Sequence, residues 1–70
     1  MNRIPVRSSN IRSIGYDEEN LVLEIEFLDH ALYEYYAVPP DVHAGLMSAR
    51  SHGVYFHSHV EGRYKYNRLA

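Results

Sequence analysis

Between Leu21 and Phe27 the chain alternates apolar and acidic residues, setting Leu23, Ile25 and Phe27 against Glu24 and Glu26. A period of two sends the two sets to opposite faces of a β-strand, so this segment reads as a strand with one buried and one wet face. Leu32 to Val38 follows after the reversal at Asp29-His30 and reads as another strand. Ile11 to Tyr16 precedes it as a shorter one, and Asp17-Glu18-Glu19-Asn20 supplies side chains that bond the local backbone in turns. Three successive strands with short connections predict an antiparallel meander.

Val38-Pro39-Pro40 ends the meander, because proline cannot donate to the sheet ladder. Pro40 and Asp41 suit the first turn of a helix, whose apolar stripe is Val42, Leu46, Met47 and Ala49. Ser51-His52-Gly53 is expected to stop that helix, with Gly53 as a left-handed cap. Beyond it, Val54 and Phe56 alternate like a strand, while Phe56, Val60 and Tyr64 step by four like a helix. A second short helix is the preferred reading, followed by an extended tail from Tyr64 to Leu69. The predicted fold is α+β: one domain over residues 1–70, with a three-stranded antiparallel meander, one helix, a second short helix and an extended C-terminal tail.

A chain of 70 residues holds one domain, and a unit this small buries only about 60% of its unfolded surface. It has no cysteine for a disulfide or thiolate site, so seven tyrosines and two phenylalanines must supply much of the core. Such a core leaves little room for a deep substrate pocket. No stretch approaches the roughly 20 apolar residues of a membrane span, and the first residues lack the apolar run of a signal peptide. The expected location is the cytoplasm, with no membrane partner.

The length of the hairpin turn decides where Tyr33 and Tyr35 point. A two-residue loop, Asp29-His30, pairs Glu26 with Tyr33 and Glu24 with Tyr35, leaving both tyrosines on the wet face. A three-residue loop, Asp29 to Ala31, opposes Phe27 to Tyr33 and Ile25 to Tyr35, and both join the buried face. The first register sets Glu34 beside Ile25, and an unpaired buried carboxylate costs several kcal/mol. The second sets Glu26 against Glu34 on the surface, which costs under about 1 kcal/mol. The three-residue register is therefore preferred, with Tyr33 and Tyr35 as structural residues at the core edge and Tyr36 as the exposed ring. The alternative is an open tyrosine platform for stacking.

Charge is segregated along the chain. Residues 1–16 carry Arg3, Arg7 and Arg12 and no acid; residues 17–41 carry eight acids and no Lys or Arg; beyond them Arg50, Arg63, Lys65 and Arg68 face only Glu61. Were the two ends adjacent in the fold, they would form a basic patch suited to an anionic partner. The competing expectation is internal pairing of basic ends with the acidic middle.

His57 and His59, with His52 nearby, do not make a complete ligand set for zinc, and the serines sit in no nucleophile motif. No metal, cofactor or catalytic activity is expected. Arg63-Tyr64-Lys65-Tyr66-Asn67-Arg68 interleaves cations with aromatic rings, the combination that contacts phosphates and stacks on bases.

The ordered set Ile4-Pro5-Val6, Ser8-Ser9-Asn10, Ile14-Gly15-Tyr16-Asp17, Leu23-Glu24-Ile25-Glu26-Phe27, Tyr33-Glu34-Tyr35, Val38-Pro39, Ser51-His52-Gly53, and His59 before Gly62-Arg63-Tyr64 resembles the KTSC domain. That family occurs at the C-terminus of some lysyl-tRNA synthetases and as stand-alone bacterial proteins, and the resemblance covers nearly the whole chain. It implies a small domain with a central Tyr-x-Tyr, here Tyr33 and Tyr35, and suggests RNA as partner. Two positions depart from the family pattern. Asp29-His30 stands where Asn-Gly is usual, and Lys65 stands where proline is usual. His59 matches a family position and is the histidine expected to donate to phosphate. The expected function is a small non-catalytic binding domain for tRNA or single-stranded RNA. Arg12, Arg50, His59, Arg63, Lys65 and Arg68 would meet the backbone, and Tyr36, Tyr64 and Tyr66 would stack. The alternative is a module that binds a protein partner.

Overall fold

The alternating segment forms the central strand of a five-stranded sheet. The computed structural model describes residues 1–70, ordered as β1 (Arg3–Pro5), β2 (Ile11–Asp17), β3 (Val22–Phe27), β4 (Leu32–Tyr35), α1 (Pro40–Ser48), α2 (His52–His59) and β5 (Tyr66–Arg68). Every neighbouring pair is antiparallel and the spatial order follows the chain, β1-β2-β3-β4-β5. The expected meander is its middle. Two three-residue strands extend it at the edges, correcting the three-stranded expectation. Both edge strands are exposed along their whole length, so no apolar alternation marks them; β1 also holds Pro5, which an edge tolerates.

The β3–β4 register differs from both hairpins considered. Leu23 opposes Tyr35, Glu24 opposes Glu34, and Ile25 opposes Tyr33. The loop is three residues, Leu28-Asp29-His30. The Phe27 N–H donates to Ala31 O at 2.9 Å, and His30 takes a left-handed φ of 72°. The pairing is two residues away from the preferred three-residue register, so the parity is unchanged. Tyr33 and Tyr35 share the face of Leu23 and Ile25, as preferred. Asp29 fixes the loop, its Oδ1 accepting from the Ala31 N–H at 3.1 Å.

Both helices cover this face. Ile11, Ile14, Leu23, Ile25 and Tyr35 from the sheet pack with Val38, Leu46, Phe56 and Val60 into one core. Phe56 meets Phe27 and Tyr35 edge-on, with ring centroids at 5.5 and 5.4 Å. The second short helix is present, but Ser51-His52-Gly53 opens it instead of capping the first. Ser51 Oγ accepts from the Val54 N–H at 3.2 Å, the capping chemistry of a serine N-cap. Gly53 lies inside α2, where a Cβ would collide with the Asn10 carboxamide; close approach, not a positive φ, requires glycine there. α1 ends at Ala49 in extended backbone, and the His52 ring nitrogen Nδ1 bonds the Leu46 carbonyl at 2.8 Å. No helix is long and apolar enough to cross a membrane.

Candidate nucleic-acid interface

Arg3 in β1 and Arg68 in β5 lie on opposite edges of the sheet, four strand spacings of about 4.8 Å apart, and do not share one patch. Arg3 turns inward instead. Its Nη1 donates to Glu24 Oε1 at 2.7 Å, and its Nε lies 3.9 Å from Glu26 Oε1. Glu24 is only 7% exposed, so this pair neutralises a carboxylate held out of water. The Glu24 hydrogen bond, with the charges of Glu24 and Glu26, raises the Arg3 pKa against the opposing effect of burial. Internal complementarity thus accounts for Arg3, one of the three N-terminal arginines.

The other edge is built differently. Register places Tyr66 beside Tyr35 and Arg68 beside Tyr33, all on the helix-covered face, just beyond where the helices end their cover. Tyr33 and Tyr35 stack with centroids at 6.2 Å, and Tyr66 lies 5.6 and 5.7 Å from them. The Arg68 guanidinium sits 5.7 Å from the Tyr33 ring centre and donates through Nε to Ala70 O at 2.8 Å. Together with Phe27, Asp29, Glu61 and neighbouring loop residues they line an open groove of about 690 Å³. Tyr35 is its buried floor, Tyr33 a half-buried wall, and Tyr66 an outer ring 61% exposed. Burial, then the Glu61 charge, raise the Tyr35 pKa well above its ordinary value, so this hydroxyl stays protonated.

The other expected contact residues distribute themselves around this groove. Arg63, Tyr64 and Lys65 form the turn that leads into β5 beside it. Arg63 Nε donates to Ser58 O at 2.9 Å, and Tyr64 is half-buried against the core. Arg63 and Lys65 have no carboxylate within ion-pair distance. Tyr36 lies on the opposite sheet face with Glu34, to which its hydroxyl donates at 3.1 Å. That makes it half-buried, where the sequence suggested an exposed ring. Burial and the Glu34 bond raise its pKa. Arg12 projects from β2 at its bulge, Arg50 from the α1–α2 connection, and the His59 ring lies tilted against Tyr55 with centroids at 4.2 Å; none lines the groove. His57 bonds Glu61 Oε1 at 2.8 Å.

Sequence reasoning missed Phe27, Asp29 and Glu61 as groove residues. They come from a strand end, a hairpin loop and the end of α2, separated by up to 34 positions. One legible signal was the i, i+2 spacing of Tyr66 and Arg68, which puts them on one strand face.

The KTSC domain family model matches residues 7–64. An uncharacterized protein of Stutzerimonas stutzeri is 44% identical over 99% of both chains. A lysine–tRNA ligase of Nostoc punctiforme is 36% identical over 89% of this chain, which corresponds to 11% of the ligase. The crystal structure of a KTSC domain protein from Yersinia pestis matches with a TM-score of 0.96 and 40% identity, over 99% of this chain and 97% of that one. With most of its length matched by the model and the fold shared throughout, the chain belongs to the KTSC domain family.

Proposed function

We propose that this chain is a non-catalytic binding domain for single-stranded RNA or the unpaired regions of tRNA, held along the β4–β5 edge. The observation that carries the reading is the convergence of Tyr33, Tyr35, Tyr66 and Arg68 on one open groove, beside the unpaired cations Arg63 and Lys65. A base stacked on an exposed tyrosine gains about 1–3 kcal/mol, and Tyr66 offers such a ring. Arg63 and Lys65 then meet the flanking phosphates. Arg12, Arg50 and His59 would touch RNA only where a longer strand wraps the domain. A similar segment within lysine–tRNA ligases, proteins named for a tRNA substrate, adds support for RNA; the ligase reaction itself is not inferred.

Titration with tRNA and with generic single-stranded RNA at two salt concentrations tests this. Affinity should fall with salt by a log–log slope of about −0.7 per phosphate contact, and Arg63→Ala/Lys65→Ala should flatten that slope by roughly 1.4. No salt-sensitive binding, with the double variant behaving like the wild type, would sink the reading.

A protein-interaction module is the second reading, favoured by the free outer edge of β5. Lys65 and Leu69 turn their backbone groups toward β4, so Tyr66 and Arg68 point theirs outward beside the exposed Leu69. Self-association in sizing experiments, abolished by proline at position 66, would support it over RNA.

A further inference from the structure

The groove combines donors and acceptors unevenly, and we propose that it selects guanine over the other bases, an inference that rests on the RNA reading above. Arg68 spends its Nε on the Ala70 carbonyl, which leaves the two terminal nitrogens as a free donor fork over the Tyr33 ring. Asp29 uses Oδ1 on the Ala31 N–H, and Glu61 uses Oε1 on His57, so each keeps one carboxylate oxygen free. Burial first, and the Glu61 charge second, raise the pKa of the Tyr35 hydroxyl at the groove floor.

Two carboxylates against one arginine make the groove unsuited to a phosphate. A base therefore enters and the backbone stays outside, toward Arg63 and Lys65. Guanine carries adjacent acceptors, O6 and N7, and adjacent donors, N1–H and N2–H₂, on contiguous edges. The arginine fork meets the first pair and a carboxylate meets the second. Adenine turns its amino group toward the arginine and an unprotonated N1 toward the carboxylate. Uracil and cytosine each present a single donor group beside acceptors, so the carboxylate that guanine meets with two adjacent donor groups meets only one on either pyrimidine. A volume of about 690 Å³ lies within the roughly 300–1,000 Å³ of ligand sites and admits a purine with its ribose.

Fluorescence anisotropy with labelled UUUGUUU, UUUAUUU, UUUCUUU and all-U strands, compared at each of two salt concentrations, tests the proposal. The guanine strand should bind roughly fivefold or more tightly than the others. Glu61→Gln and Asp29→Asn replace an acceptor with a donor at exposed positions, and at least one should bring the guanine-to-adenine ratio toward one. Equal, salt-sensitive affinity for all four strands would overturn guanine selection while leaving the RNA reading intact. A guanine preference untouched by both variants would also overturn it. Binding to none of the strands, at either salt concentration, removes both readings; binding of an arginine-containing heptapeptide instead would assign the groove to a cationic side chain.

Discussion

The two edges of the sheet are matched in length and in their basic character, yet they spend their arginines in opposite ways. In β1, Arg3 folds onto Glu24 and Glu26, closing over a carboxylate that is 7% exposed. In β5, Arg68 meets only the Ala70 oxygen and the face of Tyr33, and Arg63 and Lys65 beside it meet no acid. The same residue type is structural on one side and free for a ligand on the other. Register decides which: Arg3 opposes Gly15, which has no side chain to hold the arginine off the sheet, and Gly15 in turn opposes Glu24. Arg68 opposes Tyr33, an aromatic surface with no carboxylate.

The sharpest break of this comparison is stability. Arg3→Met should destabilise the domain by about 1–3 kcal/mol, because it strands Glu24 without its charged hydrogen-bond partner. Arg68→Met, on an exposed strand, should change stability by under about 0.5 kcal/mol. Urea midpoints measure both; equal losses would mean that the two edges are energetically alike.

Ligand affinity should show the reverse asymmetry. Arg63→Ala/Lys65→Ala is expected to weaken single-stranded RNA binding roughly tenfold at 0.1 M salt, whereas Arg3→Ala leaves it within about twofold. Tyr66→Ala, which removes the exposed stacking ring, should cost about fivefold or more and leave the unfolding midpoint nearly unchanged. Anisotropy titrations on folded variants measure these ratios. Loss of binding with Arg3→Ala at full stability would move the interface to the other edge.

Much of this architecture was legible, and the misses have identifiable causes. The glutamates of β3 and β4 forced the parity of the hairpin, because burying Glu34 in the apolar core is far more costly than setting it beside Glu24 on the opposite face, where Arg3 neutralises Glu24. Its exact register was hidden because Leu28 looks like strand and is a loop residue, and because His30 adopts the left-handed conformation usually left to glycine or asparagine. Edge strands Arg3–Pro5 and Tyr66–Arg68 gave no hydrophobic signal, since their pairing rests on backbone bonds along an exposed edge. Ser51-His52-Gly53 contains both a capping serine and a glycine, and the structure shows the serine setting the boundary. The groove was half visible. Tyr66 and Arg68 stood out by composition, but Asp29 and Glu61 join them only through the packing of the β3–β4 loop against the end of α2.

The smallest effect separates both edges from the body of the molecule, because it should titrate in neither. His43 stacks on Tyr16, with centroids 4.4 Å apart and planes 9° from parallel, and burial lowers its pKa from the ordinary 6.5, with Glu18 opposing in part. A histidine that resists protonation when folded binds its proton more readily in the unfolded chain. Its contribution is therefore complete above pH 6.5 and is lost as pH falls through the depressed folded value. Arg3, whose pKa is raised from 12.5, stays charged across that window and adds no slope of its own. Urea midpoints should decline between pH 6.5 and 5, and His43→Phe, which keeps a ring on Tyr16, should reduce that decline while Arg3→Met lowers the curve without removing it. A His43 ring that titrates at or above 6.5 by NMR would show that the stack does not exclude the charge.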